Sequence, residues 1–411
     1  MKFRWFAIGL VLILVVISIS CSSNNNSSAT SGTGFLWLTA QGNTTVQAYA
    51  INLSSGSLSL NSNAAVTGNA PSSILITPKG DAAFISNSGT SAPSSPGGIS
   101  AYTVNGDGTL TVAGTMVAVI DAVPSPNTDT CANPMGLASD PGGKFIFVAC
   151  QGTFSDPNSG AVFVFSISGT TLAPVGVRTP TNFGSSTGTG SGAVALAVSS
   201  SGNYLYVANQ FANTVASFQI SSPGALTPLS TYSVGTSPSA VYLSIGQGTV
   251  PAGLFLYVAN TGSNNISAFS VCDAPSAFGC STPNGVLAQV TGSPFAAQLG
   301  PVAIAMDPTA PFLYVADRQS NQISQYSWSS GTGALTPLSV PTISAAGQPV
   351  SLAIRAGIGV TTTAVGIDYL YVANFNGSSV SIYSLNTTNG VLNVLGSPIT
   401  TFSQPSAITV R

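Results

Sequence analysis

Apolar residues in this chain fall in runs of five to seven, each bounded by Gly, Pro, Asn or Ser. That pattern marks many short buried strands rather than amphipathic helices. One run recurs: Tyr204 to Asn209 reads YLYVAN, Phe255 to Asn260 FLYVAN, Phe312 to Asp317 FLYVAD and Tyr369 to Asn374 YLYVAN. Looser copies are FLWLTA at Phe35, AAFISN at Ala82 and FIFVAC at Phe145. The copies start 47 to 63 residues apart, which points to a repeat architecture. Before each copy but the first lies a short apolar strand opened by Pro or Gly, as in PSSILIT at Pro71 and PVAIAMD at Pro301. After the copies come an alternating third strand, such as NISAFSV at Asn265, and a short fourth one, such as GALTPL at Gly224. Four antiparallel strands per unit, repeated around a ring, make a β-propeller blade.

The repeats predict an all-β, seven-bladed β-propeller spanning 35–411. The Phe35–Ala40 strand has only a polar stretch before it, and Pro405 to Val410 is a first strand with nothing after it. Pairing Ser406–Val410 with Phe35–Ala40 closes the ring and removes its open edges. The second strand is apolar on both faces because each blade is covered by two neighbours.

Ahead of the repeats, Lys2 and Arg4 precede an apolar stretch from Trp5 to Ile17, then Ser18-Ile19-Ser20-Cys21. Residues 1–21 read as an export signal. The small residue before Cys21 resembles a bacterial lipobox, with Ser18 where that pattern has Leu, so Cys21 is the expected lipidation site. Residues 22–34, polar and Gly-rich, read as a flexible tether. The expected location is the bacterial cell envelope, with membrane contact through the N-terminal lipid only.

Composition narrows the chemistry. The chain has 8 basic and 10 acidic residues and no His, and all ten acids are Asp. Charged residues are 4% of the chain against roughly 25% in an average soluble protein. Nucleic-acid binding is excluded, because it needs clustered Lys and Arg. No cofactor or metal site is expected, since no dinucleotide, phosphate-loop or calcium-loop motif occurs and His is absent. Gly184 to Gly188 fits the nucleophile pattern G-x-S-x-G but sits in a Gly/Ser-rich connector without a His partner, so it carries no function. Four cysteines besides Cys21 suggest two disulfides, Cys131–Cys150 across the mouth of one hairpin and Cys272–Cys280 around a short loop.

The YVAN-type strands and the G-x-L-T-P-L strands resemble the YVTN-repeat, lactonase-like family of seven-bladed propellers, to which 6-phosphogluconolactonase-like proteins belong. The resemblance spans Phe35 to Arg411. It implies sugar-lactone hydrolysis, but the His and Glu expected of that chemistry are missing, so no catalytic residue transfers. The candidates are instead departures from the repeat. Asp317 replaces Asn, and Arg318 follows it at the face where loops after the second strand and before the first line the channel mouth. Asp121, Asp129, Asp156 and Arg178 are placed on the same face, and Lys79, Asp81, Asp140, Lys144, Asp307, Arg355 and Asp368 on the opposite one. Asn87, Asn209, Asn260 and Asn374 either offer amides to a polar ligand or fasten their own turns, the second being favoured. Asp317 and Arg318 are expected to form a local ion pair or to be solvated. The sequence alone favours an exported binding or scaffold module, with a protein or carbohydrate partner at the mouth, over a lactonase.

Overall fold

The computed structural model describes residues 33–43, 45–61, 65–89, 97–120, 131, 133–152, 160–181, 191–244, 254–273, 280, 282–357 and 367–411. Every described regular element is a β-strand. They form seven antiparallel sheets, each running from an inner strand outwards through second, third and fourth strands. The inner strands are Pro405–Val410, Pro71–Ile76, Pro134–Ser139, Ala193–Val198, Pro238–Leu243, Pro301–Met306 and Pro349–Arg355, taken here as blades 1 to 7. Each inner strand packs against the next, and blade 7 returns to blade 1.

Blade 1 is built from both ends of the ring. Pro405–Val410 pairs antiparallel with Thr33–Ala40, from Leu36 opposite Val410 to Ala40 opposite Pro405. The Phe35 and Arg411 amides each donate to the other's carbonyl at 2.9 Å. This strand begins at Thr33, two residues inside the stretch read as tether.

The core is seven seams rather than one centre, which explains the double-sided apolar strand. In blade 5, Phe255, Tyr257 and Ala259 face the seam with blade 6, while Leu256 and Val258 face the seam with blade 4. Side chains alternate along a strand, so a strand between two seams must be apolar throughout.

The two aromatic positions of this strand have separate tasks. The second donates a hydrogen bond into the next blade: the hydroxyls of Tyr206, Tyr257, Tyr314 and Tyr371 reach the carbonyls of Gly285, Gly333, Gly390 and Gly56 at 2.6 to 3.1 Å. Trp37 Nε1 does the same to Gly108 at 2.8 Å. The first aromatic lies flat where a side chain on that glycine would be, as Phe255 does under Gly333. Gly333 also has φ of 72°, in the left-handed region. Blade 2 supplies the contrast: Ala82 stands at the aromatic position, and Gly169, the matching glycine, has open space where a Cβ would stand, with no other side chain or backbone within 4 Å. Both substitutions to Ala meet the left-handed cost of about 1–2 kcal/mol. Only Gly333→Ala also overlaps a ring, which adds about 1–3 kcal/mol. Denaturant melts are therefore expected to show Gly333→Ala losing roughly twice the stability of Gly169→Ala; equal losses would remove the latch.

The fourth strand is longer than G-x-L-T-P-L suggests. It runs 9 residues in Ala225–Ser233 and 10 in Leu335–Ser344, and elsewhere splits into two short pieces on the same third strand. These outer edges carry almost no charge. Pro228, Pro337 and Pro341 interrupt the donor row in the two long ones instead, which blunts edge-to-edge pairing.

Both disulfides are present. Cys272–Cys280 lies between third and fourth strands, as expected. The Cys131–Cys150 geometry differs from direct opposition: Cys150 faces Pro134, because the hairpin turns around Gly142 and Gly143 and the register shifts by a bulge. Cys131 reaches Cys150 from the connector, three residues before the inner strand.

Candidate functional site at the channel mouth

The connectors before the inner strands and after the second strands share one end of the propeller. Asp317 ends the second strand of blade 6, opposite Pro301 and Gln322. It is 0% exposed. Its Oδ2 accepts the Ser324 hydroxyl at 2.6 Å and the Ser324 amide at 3.0 Å. Burial pushes the carboxyl up from 3.8 to about 7, and hydrogen bonds from Ser324 and the Gln298 amide moderate the rise. No cation contributes to that balance.

Arg318 turns away from Asp317, so the expected local ion pair is not formed. The guanidinium lies 5.1 Å from the centre of the Phe375 ring, and Nε and Nη2 donate to Gln348 Oε1 at 3.4 and 3.3 Å. Both partners belong to blade 7. Gln348 is itself held: its φ is 48°, and its amide donates to Asn321 Oδ1 at 2.7 Å. The result is a half-buried Arg fixed on an aromatic face, with donors to spare for a ligand oxygen.

The four repeat asparagines do not present their amides to the channel. Asn87 Nδ2 donates to Ser100 Oγ at 3.0 Å, Asn260 to Ser267 Oγ at 3.0 Å and Asn374 to Ser381 Oγ at 2.9 Å, all within their own blades. Asn209 Nδ2 reaches the Thr181 carbonyl and Thr214 Oγ1, both at 3.1 Å. Cys150 occupies the same position in blade 3. Its disulfide ties the second strand to the incoming connector, as Asn209 does through Thr181, whereas the other three asparagines reach the third strand.

A different set of asparagines links the blades at this face. Asn213, Asn264 and Asn321 have φ of 54 to 56° and accept the amides of Ser237, Gly300 and Gln348 at 2.7 to 2.8 Å. Sequence reasoning passed over them. The signal was an Asn immediately before the third strand in blades 4 to 6, where left-handed backbone is tolerated.

Arg178 lies between Thr171–Pro174 and Thr179–Pro180, at the outer edge of blade 3 rather than at the channel. Asp121, Asp129, Asp156 and Cys21 lie outside the described residues. At the opposite end, Asp140 accepts three amides of its own turn, from Gly142, Lys144 and Phe145. Among the described residues no group of three or more His, Cys, Asp or Glu could hold a metal ion.

A family model described as lactonase, 7-bladed beta-propeller matches residues 28–354. Among solved structures, a periplasmic gluconolactonase of Pseudomonas aeruginosa has a TM-score of 0.71 at 19% identity, covering 92% of this chain and 98% of its own. A candidate 6-phosphogluconolactonase of Bacteroides uniformis has a TM-score of 0.68 at 17% identity, covering 92% and 100%. A protein of unknown function from Desulfotomaculum acetoxidans has a TM-score of 0.61 at 14% identity, covering 92% and 99%. At these identities the likeness is one of fold. No curated protein sequence matches the chain.

Proposed function

Because the chain belongs to the lactonase family of seven-bladed β-propellers, we propose that it is a lactone hydrolase, exported to the cell envelope, which receives a sugar lactone at the mouth between blades 6 and 7. The observation that carries the reading to these residues is Arg318, stacked on Phe375 with unused donors beside the one second strand that ends in Asp. Arg318 polarises the lactone carbonyl, whose oxygen gains charge as water adds. The ring C–O bond then breaks, and the proton of the attacking water passes to the departing ring oxygen. Asp317 serves from behind as a carboxyl able to exchange a proton near neutral pH. The two disulfides are consistent with an exported protein. Lipidation at Cys21 accounts for retention there.

Turnover of gluconolactone and 6-phosphogluconolactone above the spontaneous rate is the expected result. Arg318→Ala should lower kcat/KM about a hundredfold. No turnover on a panel of aldonolactones would overturn the proposal. A second reading, a binding module for an envelope saccharide or protein, is favoured by the complete burial of Asp317. Saturable binding without turnover would support it.

A further inference from the structure

Away from the mouth, two buried carboxyls meet across the seam between blades 6 and 7. Asp307 follows the inner strand of blade 6 and is 1% exposed; Asp368 opens the second strand of blade 7 and is 2% exposed. Thr309 stands between them. Its single hydroxyl lies 2.9 Å from Asp307 Oδ1 and 2.7 Å from Asp368 Oδ2. A hydroxyl has one proton to give, so it cannot donate to both. With both acids ionised, one contact would set lone pair against lone pair at hydrogen-bond distance.

The backbone decides which acid is the acceptor. Asp307 Oδ1 already takes the Thr309 amide at 2.7 Å and the Ala310 amide at 3.1 Å. Asp368 receives one amide, from Gly357 at 3.1 Å, and on its other oxygen. The low-cost arrangement has Asp368 Oδ2–H donating to Thr309 Oγ1, which donates on to Asp307 Oδ1. We propose that Asp368 carries a proton in the folded protein, and that this proton locks the seam between blades 6 and 7 while it stays and loosens it when it leaves.

The groups around Asp368 fit that role. From blade 7 these are Arg355 and Tyr369, and from blade 6 Tyr314 and Asp307. Arg355 feels the charge of Asp368, but its Nε is buried without a partner and it makes no ion pair with the acid. Arg411 approaches Arg355 from blade 1. Burial, first, and the neighbouring Asp307 raise the Asp368 carboxyl to about 6, against the pull of the Thr309 and Gly357 hydrogen bonds. A folded-state value above the unfolded one means stability is greatest below the unfolded value. It is lost as pH rises through the folded value.

The test is made in an Asp317→Asn background, which removes the other carboxyl raised among the described residues. That protein is expected to lose about 2 °C of melting temperature between pH 5 and pH 8. Adding Asp368→Asn, whose amide can donate to Thr309 as the proton does, is expected to abolish the loss. An unchanged slope in the double variant would overturn the proposal. If the double variant does not fold, carbon NMR of the aspartate carboxyls in the single variant decides. One carboxyl titrating between pH 5 and 7 supports the shared proton, and none doing so overturns it. Calcium chloride that restores the pH 8 melting temperature, with the effect lost on Asp368→Asn, would also overturn it, assigning the pair to a cation.

Discussion

Removing Pro405–Arg411 is expected to unfold the whole propeller, although only seven of its residues are lost. The deleted strand is the inner strand of blade 1, and no other segment can supply it. Without it, Leu36, Trp37 and Leu38, all fully buried, lose their cover on one side. Blades 7 and 2 lose the strand that both their inner strands pack against. Ile408 and Ala407 leave the seam, at about 1.5–3 kcal/mol for the larger side chain alone. Five paired positions of ladder go with them, each hydrogen bond worth about 1 kcal/mol net. The total approaches the 5–15 kcal/mol that holds an ordinary domain together. Circular dichroism and size exclusion should show a collapsed, associating chain with an exposed second-strand edge. A synthetic peptide of residues 403–411 added in trans should restore part of the cooperative transition. A truncated protein with an unchanged melting temperature would mean that the ring is not held by this strand.

That closure was legible because it is a matter of counting. Seven second strands and seven inner strands out of phase leave one of each unpaired, whatever the details of packing. The burial of the repeat strand on both faces was legible for a related reason: a strand between two seams has no polar face to hide. What escaped was everything that depends on the next blade. The Tyr257 hydroxyl finds its acceptor at Gly333, 76 residues on, and Tyr314 finds Gly390 at the same separation. The two aromatic positions and the glycine were each visible, but nothing local says that they touch. Arg318 escaped in the same way. Its sequence neighbour is Asp317, and proximity along the chain suggests an ion pair, yet Asp317 is buried at the strand's end while Arg318 lies in the turn beyond it, where Phe375 captures the guanidinium. The Cys131–Cys150 pair is legible from the hairpin, but the bulge between Pro134 and Leu137 that offsets the two cysteines is not. Lining up the repeats places Cys150 on Asn209 and Asp317, and Cys131 on Gln298.

Within that framework Asp317 is the position where the repeat is made worse for stability. Four sister strands end in Asn, which donates to a hydroxyl on the third strand without bringing charge into the seam. Asp317→Asn is therefore expected to stabilise the protein, and by an amount set by pH. The carboxyl rises from 3.8 to about 7 on folding. Between those values the folded protein holds a proton that the unfolded chain has released, so stability falls as pH increases and levels off above about 7. At pH 8 the ionised group costs about 2–4 kcal/mol, and Asn removes that cost. The melting temperature of Asp317→Asn should exceed that of the parent by roughly 5 °C at pH 8, with most of the advantage gone at pH 4.5. The same variant should lose lactone turnover if Asp317 moves the proton. Higher stability with lower activity is the signature of a residue kept for function against the interest of the fold. Equal melting temperatures at both pH values would show that the carboxyl is not strained, and would remove the physical reason for singling it out.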